Sequence, residues 1–466
     1  MPVNRRVWGS ILTLSLVVVR AMGAEGHFTA DERDFIVRFW AKPGRYEISL
    51  PDNAPKVGIW QMRLSPEGSV WLWNYNKARG LGKVPPGQIP APQNAEQAVW
   101  EDWINRKVAH DRWAAQTAAD SKNRDLGLTV ESLAGAEPPA PGNVPTGLAK
   151  LCGAPPAFAS AVKPMQYAVT FVEGERYVYV DNVAMRPRYA YYRFSQGVNK
   201  GGTQVKKLPQ EALDALCRKA GISESEQRVM KAVSLLEGGF ESINTYDTGF
   251  LSVGFIQFAT LKEGGGSLGE VLLQFKSDFP QDFNVDFRRF GIDVDETGKL
   301  VAMNPVSGDE KVGSEAVALI IDDKRLTAVF QRAGATSENF KIEQLKVAKR
   351  RFYPSEDVVT VMLNGKAMQL KVCQIVRSEA GLATLFDRKV NTGNIRVLGS
   401  ICERICAEQG LDSIEDLASC EYDIIRAMTY RTNFLSSADL TLPRLNGSSA
   451  SRSGKRKSNA PPPKKR

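Results

Sequence analysis

The sequence predicts an α+β protein: a mainly α-helical body with a β-hairpin, preceded by small β-rich N-terminal regions. Three observations predict it. From Pro209 onward, apolar residues recur at three- and four-residue spacing behind capping residues, as in amphipathic helices. Ahead of that point, short runs rich in Val, Tyr, Phe and Trp alternate with turn formers, as in strands. Late in the chain, Asn364-Gly365 lies between two apolar runs, a strong hairpin signal.

Taken in order, residues 1–24 read as a secretory signal. Arg5 and Arg6 precede a mostly apolar run over 7–19, and Ala21-Met22-Gly23-Ala24 supplies small residues for cleavage. The run is short for a membrane span, so an exported protein, periplasmic or extracellular, is expected. Arg20 beside the cleavage site leaves an uncleaved anchor open.

Residues 25–132 form an expected N-terminal α+β domain. Within 28–80 the runs at 57–64 and 69–75 flank Ser65-Pro66-Glu67-Gly68, which reads as a hairpin turn. That places Trp71 and Trp73 on one face of a strand, where they could stack on sugar rings; core packing is the commoner role of such aromatics. Residues 94–120 read as a helix capped by Asn94, with Gln97 three residues on and Trp100, Trp103, Ile104 and Val108 on one face. The Pro/Ala/Gly-rich stretch 133–148 reads as a linker. A β-hairpin subdomain is expected over 149–204, with strands at 167–171 and 177–180 and a third at 188–194 whose Tyr189, Tyr191 and Tyr192 could line a groove.

The helical body spans 205–440. Leu213, Leu216 and Cys217 share a face of its first helix. Ser223 with Glu226, and Ser267 with Glu270, fit capping boxes. Further helices are expected at 314–332, 337–352, 378–389, 395–408 and 414–430, with a hairpin over 357–376. The tail 441–466 is basic and rich in Ser, Gly and Pro, and is expected to be disordered.

The formal charge is +9 over 466 residues, but it sits at the ends. Seven cations lie beyond Ser451 and three lie in 1–24, leaving a nearly neutral body. No nucleic-acid motif is present, so no specific nucleic-acid partner is expected; on an exported protein the tail could instead touch an anionic envelope polymer. Six cysteines permit disulfides without fixing a pairing, and six buried thiols are an equal alternative. With only His27 and His110 in the chain, a His-based triad or metal site in the body is excluded. Its chemistry must rest on carboxylates, with no cofactor and no metal.

The stretch 229–258 carries that chemistry. Val229, Ala232, Val233 and Leu236 give one helix face, and Gly238-Gly239 stop the helix. Glu237 therefore falls at the last turn, where the helix dipole and apolar neighbours both disfavour its charge, as a general acid requires. Asp247, Ser252, Gly254 and Gln257 follow in a glycine-punctuated apolar stretch, and Glu241 ranks as a lesser acid.

Glu237 followed by Asn244-Thr245-Tyr246-Asp247, Ser252-Val253-Gly254 and Ile256-Gln257-Phe258 resembles the active-site segment of the lysozyme-like glycosidase superfamily. That group includes goose-type lysozymes, lytic transglycosylases and chitosanases. In transglycosylase-like members a Glu ends a helix and a Ser- and Gly-containing segment ending in Gln follows. Asp247, Ser252 and Gly254 reproduce the Asp–Thr–Gly spacing of chitosanase-like members, with Ser in place of Thr. Gly238 stands where many members have Ser, and the interval from Glu237 to Asp247 is shorter than in chitosanases. The resemblance implies a lysozyme-like body and a polysaccharide partner, peptidoglycan or chitosan. It implies Glu237 as general acid, Asp247 activating water on the opposite face with Ser252 orienting it, and Asn244, Tyr246 and Gln257 shaping the groove. A single-acid transglycosylase, with Asp247 structural, is the alternative within the family. Outside it stand a carbohydrate-binding protein without activity and a structural envelope protein. Asp387 matches a late-helix Asp of some members weakly; a structural ion pair with Arg388 or a neighbouring cation is the preferred reading.

Overall fold

Thr29 and Glu32 form a reciprocal capping box, and a helix follows (α1, Ala30–Trp40), in a computed structural model that describes residues 26–80, 91–130, 134–182, 193–363, 365–429 and 431–444. The chain is mixed α+β, about 50% helical and 13% strand. Helix dominates even where the sequence suggested strands. Beyond α1 come β1 (Tyr46–Ser49), α2 (Ala54–Val57) and β2 (Gln61–Leu64).

The expected hairpin over 57–75 is replaced by a strand and a helix, α3 (Pro66–Ala78). Ser65 is an N-cap whose hydroxyl accepts from the Gly68 amide at 2.9 Å, and Pro66 occupies the first helical turn. Both residues suit a helix start as well as a turn, and the helix reading prevails. Trp71 consequently stacks on Tyr75 one turn away, with ring centroids 6.0 Å apart, and is buried, so it and Trp73 do not share a strand face. The long α4 (Ala95–Asp125) begins as expected, with the Asn94 side chain accepting from the Gln97 amide.

Next come α5 (Thr146–Cys152), β3 (Ala159–Val162), β4 (Gln166–Thr170) and β5 (Arg176–Val180). β2 pairs with β3, and β1 joins β4 and β5 in a three-stranded antiparallel sheet. Segments on either side of 133–148 therefore belong to the same sheets. Two cores result. Trp71, Tyr75, Trp103, Ile104, Leu148 and Phe158 form a local one. Ile36, Trp40, Val169 and Phe171 instead join the large core of the body, where Trp40 donates to the Phe290 carbonyl at 3.1 Å.

The body opens with β6 (Asn199–Lys200), α6 (Gln210–Lys219) and α7 (Glu224–Ser234). The Ser223–Glu226 capping box forms. Three two-residue strands, β7 (Ile243–Asn244), β8 (Ser252–Val253) and β9 (Phe258–Ala259), continue β6 into a four-stranded sheet ordered β6-β7-β8-β9. Then come α8 (Gly266–Asp278) and α9 (Pro280–Asp286). The second expected capping box does not form, because Ser267 accepts from the Ala259 amide and Glu270 pairs with Arg350 and Arg351.

A three-stranded sheet, β10 (Ile292–Val294), β11 (Leu300–Met303) and β12 (Glu310–Val312), was not legible in the sequence. Every residue of β10 and β11 is buried; β11 carries no polar alternation, and β10 alternates over three residues alone, too few to mark a strand. The helix expected at 314–332 divides into α10 (Ser314–Asp322) and α11 (Lys324–Thr336), because Asp323 caps the second through the Arg325 amide. After α12 (Glu338–Phe352), β13 (Val358–Leu363) and β14 (Lys366–Lys371) make the expected hairpin, with Gly365 at φ 71°. The chain ends in α13 (Val372–Ile375), α14 (Glu379–Thr392), α15 (Val397–Gln409), α16 (Ile414–Ser419) and α17 (Glu421–Met428).

All six cysteines are free thiols. No helix among the described residues is long and apolar enough to cross a membrane. The signal-like segment 1–24, most of the expected third strand with its three tyrosines, and the tail beyond Arg444 lie outside the described residues.

Candidate functional site

α7 ends at Ser234, one turn earlier than the sequence implies. The Glu237 and Gly238 amides both donate to the Ser234 carbonyl, so Glu237 sits in a turn just past the helix. Leu236, assigned to the buried face, is 39% exposed for that reason, and Leu235 is 41% exposed. Val229 and Val233, which are inside the helix, are fully buried. Gly238 has φ 133°, and a Cβ there would meet the Gly201 carbonyl at 2.7 Å. A glycine is required where the chain leaves the helix and passes under β6.

The Glu237 carboxylate, expected among apolar neighbours, meets a cation. It rests on the Arg431 guanidinium, and its side chain is 13% exposed. The same guanidinium binds Asp387 through Nε, at 3.1 Å, and through Nη2. Asp387 lies on α14 with its side chain 1% exposed, and Asn391 also donates to it at 3.2 Å. Burial opposes the charge on Arg431, but the two carboxylates outweigh burial and hold the guanidinium above its ordinary range. The expected ion pair of Asp387 thus forms with Arg431. Sequence reasoning missed Arg431, which is 194 positions from Glu237 and carries no local motif.

The remaining candidates gather on the β7–β8 hairpin and the turn after it. Asn244 donates to Asp247 Oδ2 at 2.8 Å and accepts from the Tyr246 amide at 3.0 Å. Asp247 Oδ1 accepts from the Gly249 amide at 2.8 Å. Ser252, buried, lies across the strand pair from Asn244. A Cβ built on Gly249 would stand 2.5 Å from Ser252 Oγ and 3.2 Å from Asp247 Oδ1, so both oxygens flank one glycine. Tyr246 is nearly buried. Gln257, at φ 57°, donates to Ser242 Oγ at 2.6 Å and to the Gly254 carbonyl at 3.1 Å. Its amide group holds the turn between β8 and β9. Glu241 accepts from the Thr203 amide at 2.6 Å and fastens the loop beside β6.

The residues after α17 wrap back over this end of α7. Arg431 reaches Glu237, while Thr441 exchanges hydrogen bonds with Glu379, whose carboxylate also receives Arg228 of α7. A groove of about 590 Å³ runs along α6 and α7, is bordered by Ser437 and Asp439 of the wrap, and has Leu235 in its lining. Neither this groove nor a hollow of about 540 Å³ at the start of β13 is lined by Glu237 or Asp247. Among the described residues no group of three His, Cys, Asp or Glu side chains is placed to hold a metal ion. No family model, curated protein or solved structure matches the chain.

Proposed function

We propose that the protein is an exported glycoside hydrolase that cleaves β-1,4 bonds of an amino-sugar polymer, peptidoglycan before chitosan. The observation that carries this reading is Glu237 itself. It is a largely shielded carboxyl at the exit of a helix, followed at once by a short antiparallel sheet that bears a second acid, Asp247, beside Ser252. In this reading Glu237 protonates the glycosidic oxygen. Arg431 stays on Asp387 while it does so: one guanidinium serves two carboxylates, and neutralising Glu237 leaves Arg431 and Asp387 as a balanced pair. Asp247 then activates water, with Ser252 alongside.

One observation favours the single-acid alternative. Both oxygens of Asp247 already hold hydrogen bonds within their own turn, to Asn244 and Gly249, as expected of a residue that shapes the turn. A substrate hydroxyl would then replace water and yield an anhydro sugar. A second observation favours sugar binding without turnover, since a guanidinium in contact stabilises the charged form of Glu237 rather than the acid.

One experiment separates these readings. Turbidity loss and new reducing ends are followed on peptidoglycan and on chitosan with the parent and with Glu237→Gln, and products are examined by mass. Hydrolysis gives reducing ends that vanish with Glu237→Gln. Transglycosylation gives anhydro ends. No release from either polymer refutes the enzymatic reading.

A further inference from the structure

We infer that Cys406 and Cys420 are a redox-active dithiol, which a disulfide oxidant such as oxidised glutathione converts into a bridge between α15 and the start of α17. The inference stands on the packing of these helices and does not rest on the glycosidase reading.

The local sequence brings the two thiols to one place. Cys402, Cys406 and Gln409 follow one another at four- and three-residue spacing, so they share a face of α15. Gly410, at φ 66°, ends that helix in the left-handed conformation, and the Leu411 amide donates to the Cys406 carbonyl at 3.0 Å. The chain then doubles back through α16, whose buried Leu417 joins Ile401, Ile405 and Ile424 in the core. Cys420, where α16 gives way to α17, returns against α15: its thiol donates to Gln409 Oε1 at 3.2 Å. Gln409 is an adjacent neighbour of Cys406 on the helix surface, with Cβ atoms about 5–6 Å apart. Bridging asks the Cys420 thiol to leave Gln409 for Cys406 on the same face.

Exposure singles out this pair. Cys402 is wholly buried, whereas Cys406 and Cys420 are 7% and 6% exposed beside the exposed Gln409. An oxidant arriving at this face meets those two thiols before the third. Cys402 and Cys406 do not suit each other, because on one rigid helix their Cβ atoms also stand about 5–6 Å apart, beyond the roughly 4 Å that a disulfide spans. The other three cysteines belong to α5, α6 and α13. Burial holds both thiols above their ordinary range. At Cys406 the Cys420 thiol and Glu403 add to it; at Cys420 Asp423 and Asp416 add to it and a bond with Ser419 opposes. Thiolates are therefore scarce at neutral pH, and oxidation quickens as pH rises.

The step is thiol–disulfide exchange. One protein thiolate attacks a sulfur of oxidised glutathione, expels one glutathione thiolate and leaves a mixed disulfide. The second protein thiolate attacks the protein sulfur of that mixed disulfide and expels the other glutathione. Two cysteines lose two electrons, one oxidised glutathione gains them, and the two thiol protons end on the two reduced glutathiones. The bridge ties α15 to α17, whose Glu421 already accepts from the Ser378 amide and hydroxyl at the start of α14.

The test incubates the fully reduced full-length protein with oxidised glutathione near the ordinary thiol range, at about pH 8.5. Remaining thiols are alkylated, and a Glu-specific protease then cuts without reductant after Glu408 and Glu415, which separates the two cysteines. The expected products are one linked pair of fragments carrying Cys406 and Cys420, and alkylated thiols at the other four cysteines. Cys402→Ala should leave the link in place, and Cys420→Ala should remove it. In urea the bridged protein should show a folded-to-unfolded ratio raised about a hundredfold, as closing a loop of about 15 residues predicts, and dithiothreitol should reverse the gain. The fragment map of the parent needs no variant to fold. A link through any other cysteine, a glutathione adduct on Cys406 or Cys420 that never resolves, or six alkylated thiols overturns the inference. So does a bridge that lowers the urea midpoint, since the native packing would then not present the pair.

Discussion

Removal of Arg431 should be costly, because its guanidinium neutralises a buried acid. Its guanidinium lies between Glu237 and Asp387, and the three side chains differ in exposure: 26% for Arg431, 13% for Glu237 and 1% for Asp387. Arg431→Met leaves Asp387 in the interior with Asn391 as its remaining side-chain donor. Stranding a buried charge in this way costs about 3–5 kcal/mol. Glu237→Gln should cost about 1 kcal/mol, because Arg431 keeps its Asp387 bonds and the amide can still accept a hydrogen bond. The double variant Asp387→Asn with Arg431→Met removes the stranded charge, and should recover about 2 kcal/mol of the single-variant loss as coupling between contacting residues. Urea unfolding followed by far-ultraviolet circular dichroism gives the stability of the parent and of each of the three variants. Equal losses for Arg431→Met and Glu237→Gln, or a double variant no more stable than Arg431→Met, would refute the assignment of Arg431 to the buried acid.

Three further outcomes follow from geometry. Lys324 is fully buried, donates to the Ile321 and Asp322 carbonyls, and is pushed by burial from 10.5 to about 8, with Asp181, Asp322 and Asp323 opposing. The unfolded chain then binds more protons than the folded one between those values. This group's penalty is full below about pH 8 and relieved as pH rises to 10.5. Lys324→Met should abolish a rise in stability of up to about 3 kcal/mol across that window, read from unfolding curves taken at successive pH values. Gly254→Ala should cost about 1–3 kcal/mol from backbone strain alone, since Gly254 has φ 89° and its Cβ would strike Gln344 Oε1 at 2.2 Å. Thermal unfolding of that variant tests the turn between β8 and β9. Ser65→Ala should lower stability by about 1 kcal/mol through loss of the α3 cap, and a drop beyond about 2 kcal/mol would show that Ser65 has a larger role.

The readable parts of the sequence were those whose signals are local. The Asn94 cap, the Ser223–Glu226 box and the Asn364-Gly365 hairpin each depend on residues within a few positions, and each element appears. Thr29-x-x-Glu32 was an equally local signal that the aromatic run after it obscured. Ser65-Pro66 failed differently, because the same residues open helices and turns, and only the packing of Trp71 and Tyr75 against Phe158 and Trp103 decides between them. β11 was hidden because total burial erases alternation, and β10 because three residues are too short a pattern. The candidate site was legible along 229–258, where one helix and one hairpin carry it. The ionic contacts of Glu237 were not, since they depend on Arg431, in the segment after α17, and on Asp387 of α14, both far away in the chain.

The pairing of β1 with β4 has a consequence for how the molecule comes into being. Tyr46 is opposed to Val169 and Ser49 to Gln166, so the first sheet cannot close until more than a third of the polypeptide has emerged from the ribosome. Joining such distant segments must absorb a large loop entropy before any contact repays it. The nascent N-terminal third is thereby kept from completing its tertiary structure early.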